Sequence, residues 1–152
     1  MPVEVRVLGS SDAAVLARVA PEVLDRGVDP ALVAEFLADP RHHVAVAIED
    51  ETVVAFASGV HYVHPDKPTE LWINEVGVSP AHRRRGLGAA VVGALLAEGR
   101  RLGCVNAWVL TDRGNHAATA LYRACGGVAA SGDTVMFEFP LGAASAGAKS
   151  RT

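Results

Sequence analysis

The stretch that decides the fold covers residues 76–88 and reads Val-Gly-Val-Ser-Pro-Ala-His-Arg-Arg-Arg-Gly-Leu-Gly. It joins an apolar, β-rich run over residues 71–78 to a segment over 87–102 whose apolar residues recur at helical spacing. A helix start offers unpaired N–H groups and a positive dipole end, and glycines let an anion approach the backbone closely. Three adjacent arginines add positive charge there. The stretch therefore predicts a strand, a basic loop and a helix. By its residues alone, the loop either binds an anion or is a solvated basic turn whose glycines serve the fold.

The residues before this unit predict a strand, two helices and a hairpin. Apolar and charged residues alternate over 3–8, and Ser10, Ser11 or Asp12 is expected to cap a helix that runs to about Ala20. A second helix opens at Asp29-Pro30 and ends before Asp39-Pro40. The β-rich runs over 44–48 and 53–60 flank the polar residues 49–51, which predicts an antiparallel hairpin.

The residues after this unit predict two more strands and one more helix. We expect Gly103 to end the long helix, a buried strand over 105–110, a short helix over 115–124 and a last strand over 134–139. The Gly/Ala/Ser/Lys-rich residues 142–152 are expected to be disordered. Strands and helices in irregular alternation predict a single α/β domain over residues 1–141, with one mixed sheet and helices on both faces.

Composition excludes several classes of protein. Half of the 152 residues are hydrophobic, a fifth are charged and the net charge is −3, so a globular chain without a basic excess for nucleic acid is expected. No apolar run reaches the roughly 18 residues of a membrane span, which favours a soluble cytoplasmic protein without a membrane partner. We expect no metal, because the six histidines show no ligand spacing and the two cysteines, Cys104 and Cys125, read as core thiols.

A second motif, Asn115-x-x-Ala118-x-x-Leu121-Tyr122-x-x-x-Gly126, follows the next predicted strand. Together with residues 76–80 and the Arg-x-x-Gly-x-Gly loop, it makes residues 44–139 resemble the GCN5-related N-acetyltransferase (GNAT) superfamily. Gly127 departs from the pattern, because an aromatic residue often follows the last glycine. The resemblance implies an acetyl-CoA-dependent N-acetyltransferase with a mixed sheet of about six or seven strands and about four helices.

The resemblance also implies where acetyl-CoA lies. In this family it enters between two parallel strands that splay apart, here those ending near Val78 and Leu110, and its pyrophosphate rests on the loop over 84–89. The Val78 amide would stabilise the developing oxyanion, and Tyr122 would be the acid that protonates the leaving thiolate. The implied cofactor-binding residues are Val76, Gly77, Val78, Arg83, Arg84, Arg85, Gly86, Leu87, Gly88, Ala89 and Asn115.

Glu75 is the candidate general base. A carboxylate three residues before Val78 would attract an ammonium group and accept its proton, directly or through a water. Strand alternation places Glu75 on the face opposite Trp72 unless a β-bulge intervenes. A carboxylate inside an apolar run is also costly to bury without a partner or a task. The weaker candidates are Glu70, His61 and His64.

Within the superfamily the chain most resembles the small aminoglycoside 3-N-acetyltransferases, through residues 75–79, 111–114, 120–122 and 135–139. This implies a small cationic amine as acceptor, received by acidic side chains. Three open alternatives are another small amine, a peptide or protein N-terminus, and a non-catalytic acyl-CoA-binding domain. A homodimer is also allowed, since dimers are common in this superfamily. The candidate substrate-binding residues beside Glu75 are Glu70, Asp112 and Asp133.

Overall fold

The computed structural model describes residues 2–142. Residue contacts divide the chain into two compact units, Met1–Leu110 and Thr111–Thr152. The predicted disordered tail lies outside the described residues except for Gly142, and a single domain over 1–141 stays a prediction. In the described part of the chain, no helix is long and apolar enough to cross a membrane.

The first unit is built on a five-stranded mixed sheet in the order β1-β2-β3-β4-β5. Neighbouring strands are antiparallel except for β4 and β5, which are parallel. The predicted mixed α/β architecture is thus confirmed. The strands are β1 (Glu4–Val7), β2 (His42–Glu49), β3 (Thr52–Tyr62), β4 (Glu70–Val78) and β5 (Asn106–Val109). The helices are α1 (Pro30–Ala38) and α2 (Leu87–Arg101) in the first unit and α3 (His116–Ala124) in the second.

The predicted hairpin is formed by β2 and β3. Only Asp50 and Glu51 separate the two strands, and their φ angles are +49° and +60°. Positive φ at both central residues is typical of the tight turn whose twist matches that of the flanking strands. Glu49, the last residue of β2, therefore lies beside the turn, at the end of the sheet where β2 joins β3.

Helices α1 and α2 cover opposite faces of the sheet. Leu37 of α1 belongs to one buried cluster with Val46 and Phe56. Gly99 of α2 lies against Leu71 of β4, which pairs with His61 of β3. Because successive residues of a strand point to opposite faces, Leu71 and Phe56 lie on different faces of the sheet. This agrees with the predicted helices on both faces.

The predicted helix up to Ala20 is wrong. The structure forms only a 3-10 helix over Ala13–Ala17, because the Asp12 carboxylate accepts a hydrogen bond from the Gly9 amide and does not cap a helix. Beyond it the chain is extended, and the carbonyl of Arg18 and the amide of Ala20 bond to Val53 of β3. Pairing with the sheet thus replaces helix at these residues.

The predicted last strand is also wrong, since residues 134–139 form no strand. Their alternating pattern is genuine, but a strand needs a hydrogen-bonding neighbour, and no partner strand pairs with them among residues 2–142. The described chain therefore has five strands and three α-helices, close to the six or seven strands and four helices expected.

Gly77 of β4 offers a test of the packing beneath the sheet. A Cβ at Gly77 would overlap the carbonyl oxygen of Val23 and lie 2.8 Å from Cε1 of Phe56. We expect Gly77→Ala to lower the free energy of unfolding by about 1–3 kcal/mol, as overpacking does. Gly93→Ala is the control: a Cβ at Gly93 of α2 meets nothing within 4 Å, so stability should rise by about 0.5–1 kcal/mol. Urea denaturation measures both, and an unchanged Gly77→Ala variant would contradict this packing.

Candidate active site

The parallel pairing of β4 and β5 ends inside the first unit before β4 does. Their pairing runs from Glu70↔Asn106 to Ile73↔Val109, whereas β4 continues to Val78. Residues 75–78 remain paired with β3, and no strand of residues 2–142 pairs with the other edge of residues 74–78. Alternate main-chain groups of this stretch therefore face an open edge. All four residues of β5 are paired, so a splaying of the strands that end near Val78 and Leu110 stays a prediction.

A β-bulge in β4 lies where this open edge begins. Ser58 pairs with Glu75 and the adjacent Gly59 pairs with Ile73, so Asn74 is an extra residue. The extra residue reverses the alternation, which puts Glu75 on the same face as Trp72. Unbroken alternation would have placed it on the opposite face.

Glu75 itself is exposed. The argument that its carboxylate would be costly to bury therefore does not apply. Glu75 is a candidate base because of its position: the bulge places its exposed side chain beside the open edge of β4.

Asn74 contributes a feature that sequence reasoning missed. Its side-chain oxygen is buried and has no hydrogen-bond partner within residues 2–142. Buried acceptors are nearly always paired, so this oxygen is suited to accept an N–H bond from a ligand or a water. A single Asn in a strand carries no sequence signal for this role, because the bulge that buries it depends on the pairing with β3.

The loop before α2 has the shape expected of an anion-binding turn. Gly86 precedes the helix with φ +76°, and Arg84 has φ +63°. Gly86 carries no side chain that would cap the first amides of α2. A non-glycine residue with positive φ is strained and persists only where its surroundings hold it. Arg83, Arg84 and Arg85 are all exposed.

The three arginines of this loop are not equivalent. Arg85 forms a two-pronged ion pair with Glu49, with Nη2–Oε1 2.8 Å and Nη1–Oε2 3.2 Å. Arg83 and Arg84 make no ion pair within residues 2–142. Hydrogen bonds from Arg85, and to a smaller extent from His82, lower the pKa of Glu49 to about 2. Arg85, predicted as a cofactor ligand, thus already has an anionic partner.

The second unit carries the two residues of the downstream motif. The Asn115 side-chain oxygen accepts a hydrogen bond from the Ala118 amide at 3.0 Å and caps α3. Tyr122 is half-buried in α3, and burial raises the pKa of its phenol, with a smaller contribution from Cys125. A contact of either side chain with the cofactor stays a prediction.

Gly127, the departure from the family pattern, has a packing explanation. Its amide donates to the carbonyl of Tyr122 at 2.8 Å, and a Cβ there would lie 2.9 Å from that oxygen. A side chain at this position would therefore push against the main chain of Tyr122.

The predicted acidic ligands lie in different places. Glu70 is at the start of β4, about 16 Å of strand away from Glu75. Its carboxylate already bonds His64 at 2.9 Å and Asn106 at 3.1 Å, and these bonds, led by that from Asn106, lower its pKa. Asp112 and Asp133 are exposed in the second unit. Substrate binding by these three carboxylates stays a prediction, and a cation at Glu70 would compete with His64.

An aromatic surface that the sequence did not reveal lies on the Glu75 face of β4. Trp72 and Trp108 stack with ring centroids 5.2 Å apart, and Trp108 Nε1 donates to the Tyr62 hydroxyl at 2.6 Å. The parallel register of β4 and β5 places the two indoles side by side. Such a surface can pack against an apolar ring or a cation.

The remaining candidates have other partners or surroundings. His61 shares a 2.7 Å hydrogen bond with the buried His43. Burial raises the pKa of the Cys104 and Cys125 thiols, which disfavours nucleophilic thiolates. Within residues 2–142, no three His, Cys, Asp or Glu side chains cluster in a way that suits a metal ion.

Comparisons with known proteins identify the family of this chain. Residues 15–127 match the model of the acetyltransferase (GNAT) family. The chain is 34% identical over 127 residues to the N-alpha-acetyltransferase RimI of Mycobacterium tuberculosis, a match that covers 82% of this chain and 78% of that protein.

Two solved structures share the fold. An aminoglycoside acetyltransferase from an uncultured soil metagenomic sample matches with a TM-score of 0.77 at 22% identity, covering 93% of this chain and all of that one. The aminoglycoside acetyltransferase AAC(6')-Iy, solved with the bisubstrate analogue CoA-S-monomethyl-acetylneamine, matches with a TM-score of 0.73 at 18% identity, covering 92% and 99%.

The chain belongs to the GNAT family, as its sequence motifs indicated. It is an acetyl-CoA-dependent N-acetyltransferase. The named relatives act on different acceptors, so the branch within the family is a separate question.

Proposed function

We propose that this enzyme acetylates a primary amine of a small polycationic acceptor of the aminoglycoside class, with Glu75 as base and Tyr122 as acid. The observation that carries the proposal is the bulge at Asn74. It places an exposed carboxylate beside the open edge of β4, where the thioester is expected. A base must lie within hydrogen-bond reach of the attacking amine or of one bridging water, and this position allows it.

The chain's own groups fit acetyl-CoA, which supplies the acetyl thioester when bound. Arg83, Arg84 and the start of α2 would hold the pyrophosphate, since they combine the charge of two arginines with the positive end of the helix dipole. The open edge over 74–78 would hold the amide-containing arm as an added strand does. The buried side-chain oxygen of Asn74, which has no partner in the described part of the chain, would accept one of its N–H groups.

Starting from an ammonium ion, the acceptor nitrogen must lose two protons, one before attack and one as the amide forms, while the leaving thiolate gains one. The second proton replaces the one that Tyr122 gives to the thiolate, so each turnover releases one proton through Glu75 to water. An acceptor amine is mostly an ammonium ion near pH 7, and only its neutral form attacks, so Glu75 would take up the proton. The leaving thiolate would be protonated by Tyr122. The raised pKa of the phenol keeps that proton in place at physiological pH.

Two features favour a small cationic acceptor. Glu75 and Trp72 lie on one face of β4, and a carboxylate beside an indole pair attracts an ammonium group and packs against a sugar or its cation. The net charge of −3 adds a long-range attraction for polycations.

The second candidate acceptor is the α-amine of a peptide or protein. It is favoured by the 34% identity to an N-alpha-acetyltransferase. An α-amine has a pKa of about 7.7–8.0, so it needs less help from a base than a side-chain amine does.

The two candidates are separated by thiol release from acetyl-CoA with a panel of amines. The panel contains several aminoglycosides, a linear polyamine, and one short peptide with a free and with a blocked α-amine. We expect aminoglycosides to give kcat/KM at least tenfold above the free peptide, a difference of about 1.4 kcal/mol in transition-state binding. NMR then locates the acetyl group on the product. Turnover of the free peptide alone would favour the second candidate, and coenzyme A binding without any turnover would overturn both.

A further inference from the structure

We infer that Glu49 is a positioning residue for acetyl-CoA, whose carboxylate holds the loop over 82–86 in the shape that presents Arg83, Arg84 and the start of α2 to the pyrophosphate. The inference rests on the proposed use of this loop as the pyrophosphate site. Glu49 belongs to the β2–β3 hairpin, 36 residues before Arg85, and no sequence motif includes it.

Glu49 binds the loop on both sides of Arg83 and Arg84, through His82 and Arg85. One carboxylate oxygen accepts from Arg85 Nη2 at 2.8 Å. The other bonds His82 Nε2 at 2.8 Å and Arg85 Nη1 at 3.2 Å. Only 13% of the Glu49 side chain is exposed. The carboxylate therefore joins His82, the residue before Arg83 and Arg84, to Arg85, the residue after them.

Ser79 provides a second tether on the entry side of the loop. Its hydroxyl lies 3.1 Å from Nδ1 of His82, and its amide donates to the carbonyl of Val54 at 2.8 Å. Ser79 is buried, with 4% of its surface exposed. His82 is thus held between Ser79 and Glu49, and both of its ring nitrogens have partners.

The contacts of Glu49 and Ser79 stabilise a strained backbone conformation within the loop. Arg84 adopts φ +63°, a strained conformation for a non-glycine residue that persists only where the surroundings enforce it. Without Glu49 the loop would relax, and the arginines and amides would no longer converge on one anion. A well-placed set of donors loses affinity when it must be ordered on binding.

The same contacts neutralise only one of the three arginines of the loop. Glu49 compensates Arg85, whereas Arg83 and Arg84 make no ion pair within residues 2–142. Because its pKa is lowered to about 2, Glu49 stays ionised throughout the physiological range. The carboxylate therefore keeps its charge for its contacts with Arg85 and His82 throughout this range.

The test compares acetyl-CoA with S-acetylpantetheine, which keeps the thioester arm but has no pyrophosphate. We expect Glu49→Gln to raise KM for acetyl-CoA, and Kd for coenzyme A, about tenfold, the effect of losing one charge-assisted contact. Its kcat, and its kcat/KM for S-acetylpantetheine, should stay within about twofold, since neither involves the loop. For Glu49→Asp, the KM for acetyl-CoA should lie between those of the wild type and Glu49→Gln. The shorter side chain keeps the charge but cannot reach both His82 and Arg85.

Glu51→Gln is the matched control. Glu51 lies in the same hairpin turn, is exposed and pairs only with Arg18 at 3.3 Å in the described chain, so its variant should behave as wild type. In an Arg85→Gln background, Glu49→Gln should add little, because the two residues act as one unit.

Two failures can be told apart. If the wild type uses acetyl-CoA no better than S-acetylpantetheine, the loop does not bind pyrophosphate and the proposed cofactor site is overturned together with this inference. If the wild type prefers acetyl-CoA and Glu49→Gln either keeps that preference or loses both substrates equally with a lower Tm, only the positioning role of Glu49 is overturned.

Discussion

Tyr122→Phe is expected to lower kcat by about 10²–10⁴-fold, the usual contribution of a positioned acid, while KM for acetyl-CoA changes less than about threefold. The variant removes only the hydroxyl, so the half-buried ring keeps its packing in α3. Steady-state rates over pH 6–10 and a thermal melt measure the effect. Because burial raises the phenol pKa above its ordinary value of 10, any alkaline loss of activity from this group should set in at a higher pH than for an exposed tyrosine.

Tyr62→Phe is the control for this prediction, since Tyr62 and Tyr122 are the two tyrosines of the chain. The Tyr62 hydroxyl accepts a hydrogen bond from Trp108 Nε1, so its loss should reduce stability by about 1 kcal/mol with little effect on kcat. A fully active Tyr122→Phe variant would exclude Tyr122 as the acid.

Glu75→Gln should lower kcat/KM for the amine about a hundredfold at pH 7, with a loss that shrinks as pH rises through the pKa of the acceptor. The reason is that an amine that loses its proton unaided no longer needs the carboxylate. Glu75 is exposed, so the free energy of unfolding should stay within about 0.5 kcal/mol of wild type. The measurement is the pH profile of kcat/KM for each enzyme with the same acceptor.

Glu4→Gln serves as the control for Glu75→Gln, because Glu4 is another exposed strand carboxylate, on β1, and lies outside the proposed site. Its profile should superimpose on that of the wild type. An equal loss in Glu75→Gln at every pH would mean that the carboxylate holds the ammonium and does not remove its proton.

Much of the local structure could be predicted from the sequence. The helix expected over 87–102 is α2 (Leu87–Arg101), and that expected over 115–124 is α3 (His116–Ala124). The hairpin turn, the loop before α2 and the parallel strands around it also lie where the motifs placed them. These features depend on neighbours in the chain: apolar spacing, capping residues and glycines that allow positive φ.

Residues distant in the chain decided the rest. The segment after Ala17 is extended because Val53 offers it main-chain partners. Arg85 is paired because the hairpin brings Glu49 to it. Glu75 faces the side of Trp72 because the register with β3 leaves Asn74 as an extra residue. The sequence by itself determined the family, the elements and the type of chemistry, since these depend on local pattern and residue type. Only the tertiary structure decided which charges are already paired and which face the candidate base occupies, because cross-strand register and ion pairs depend on distances that no local pattern encodes.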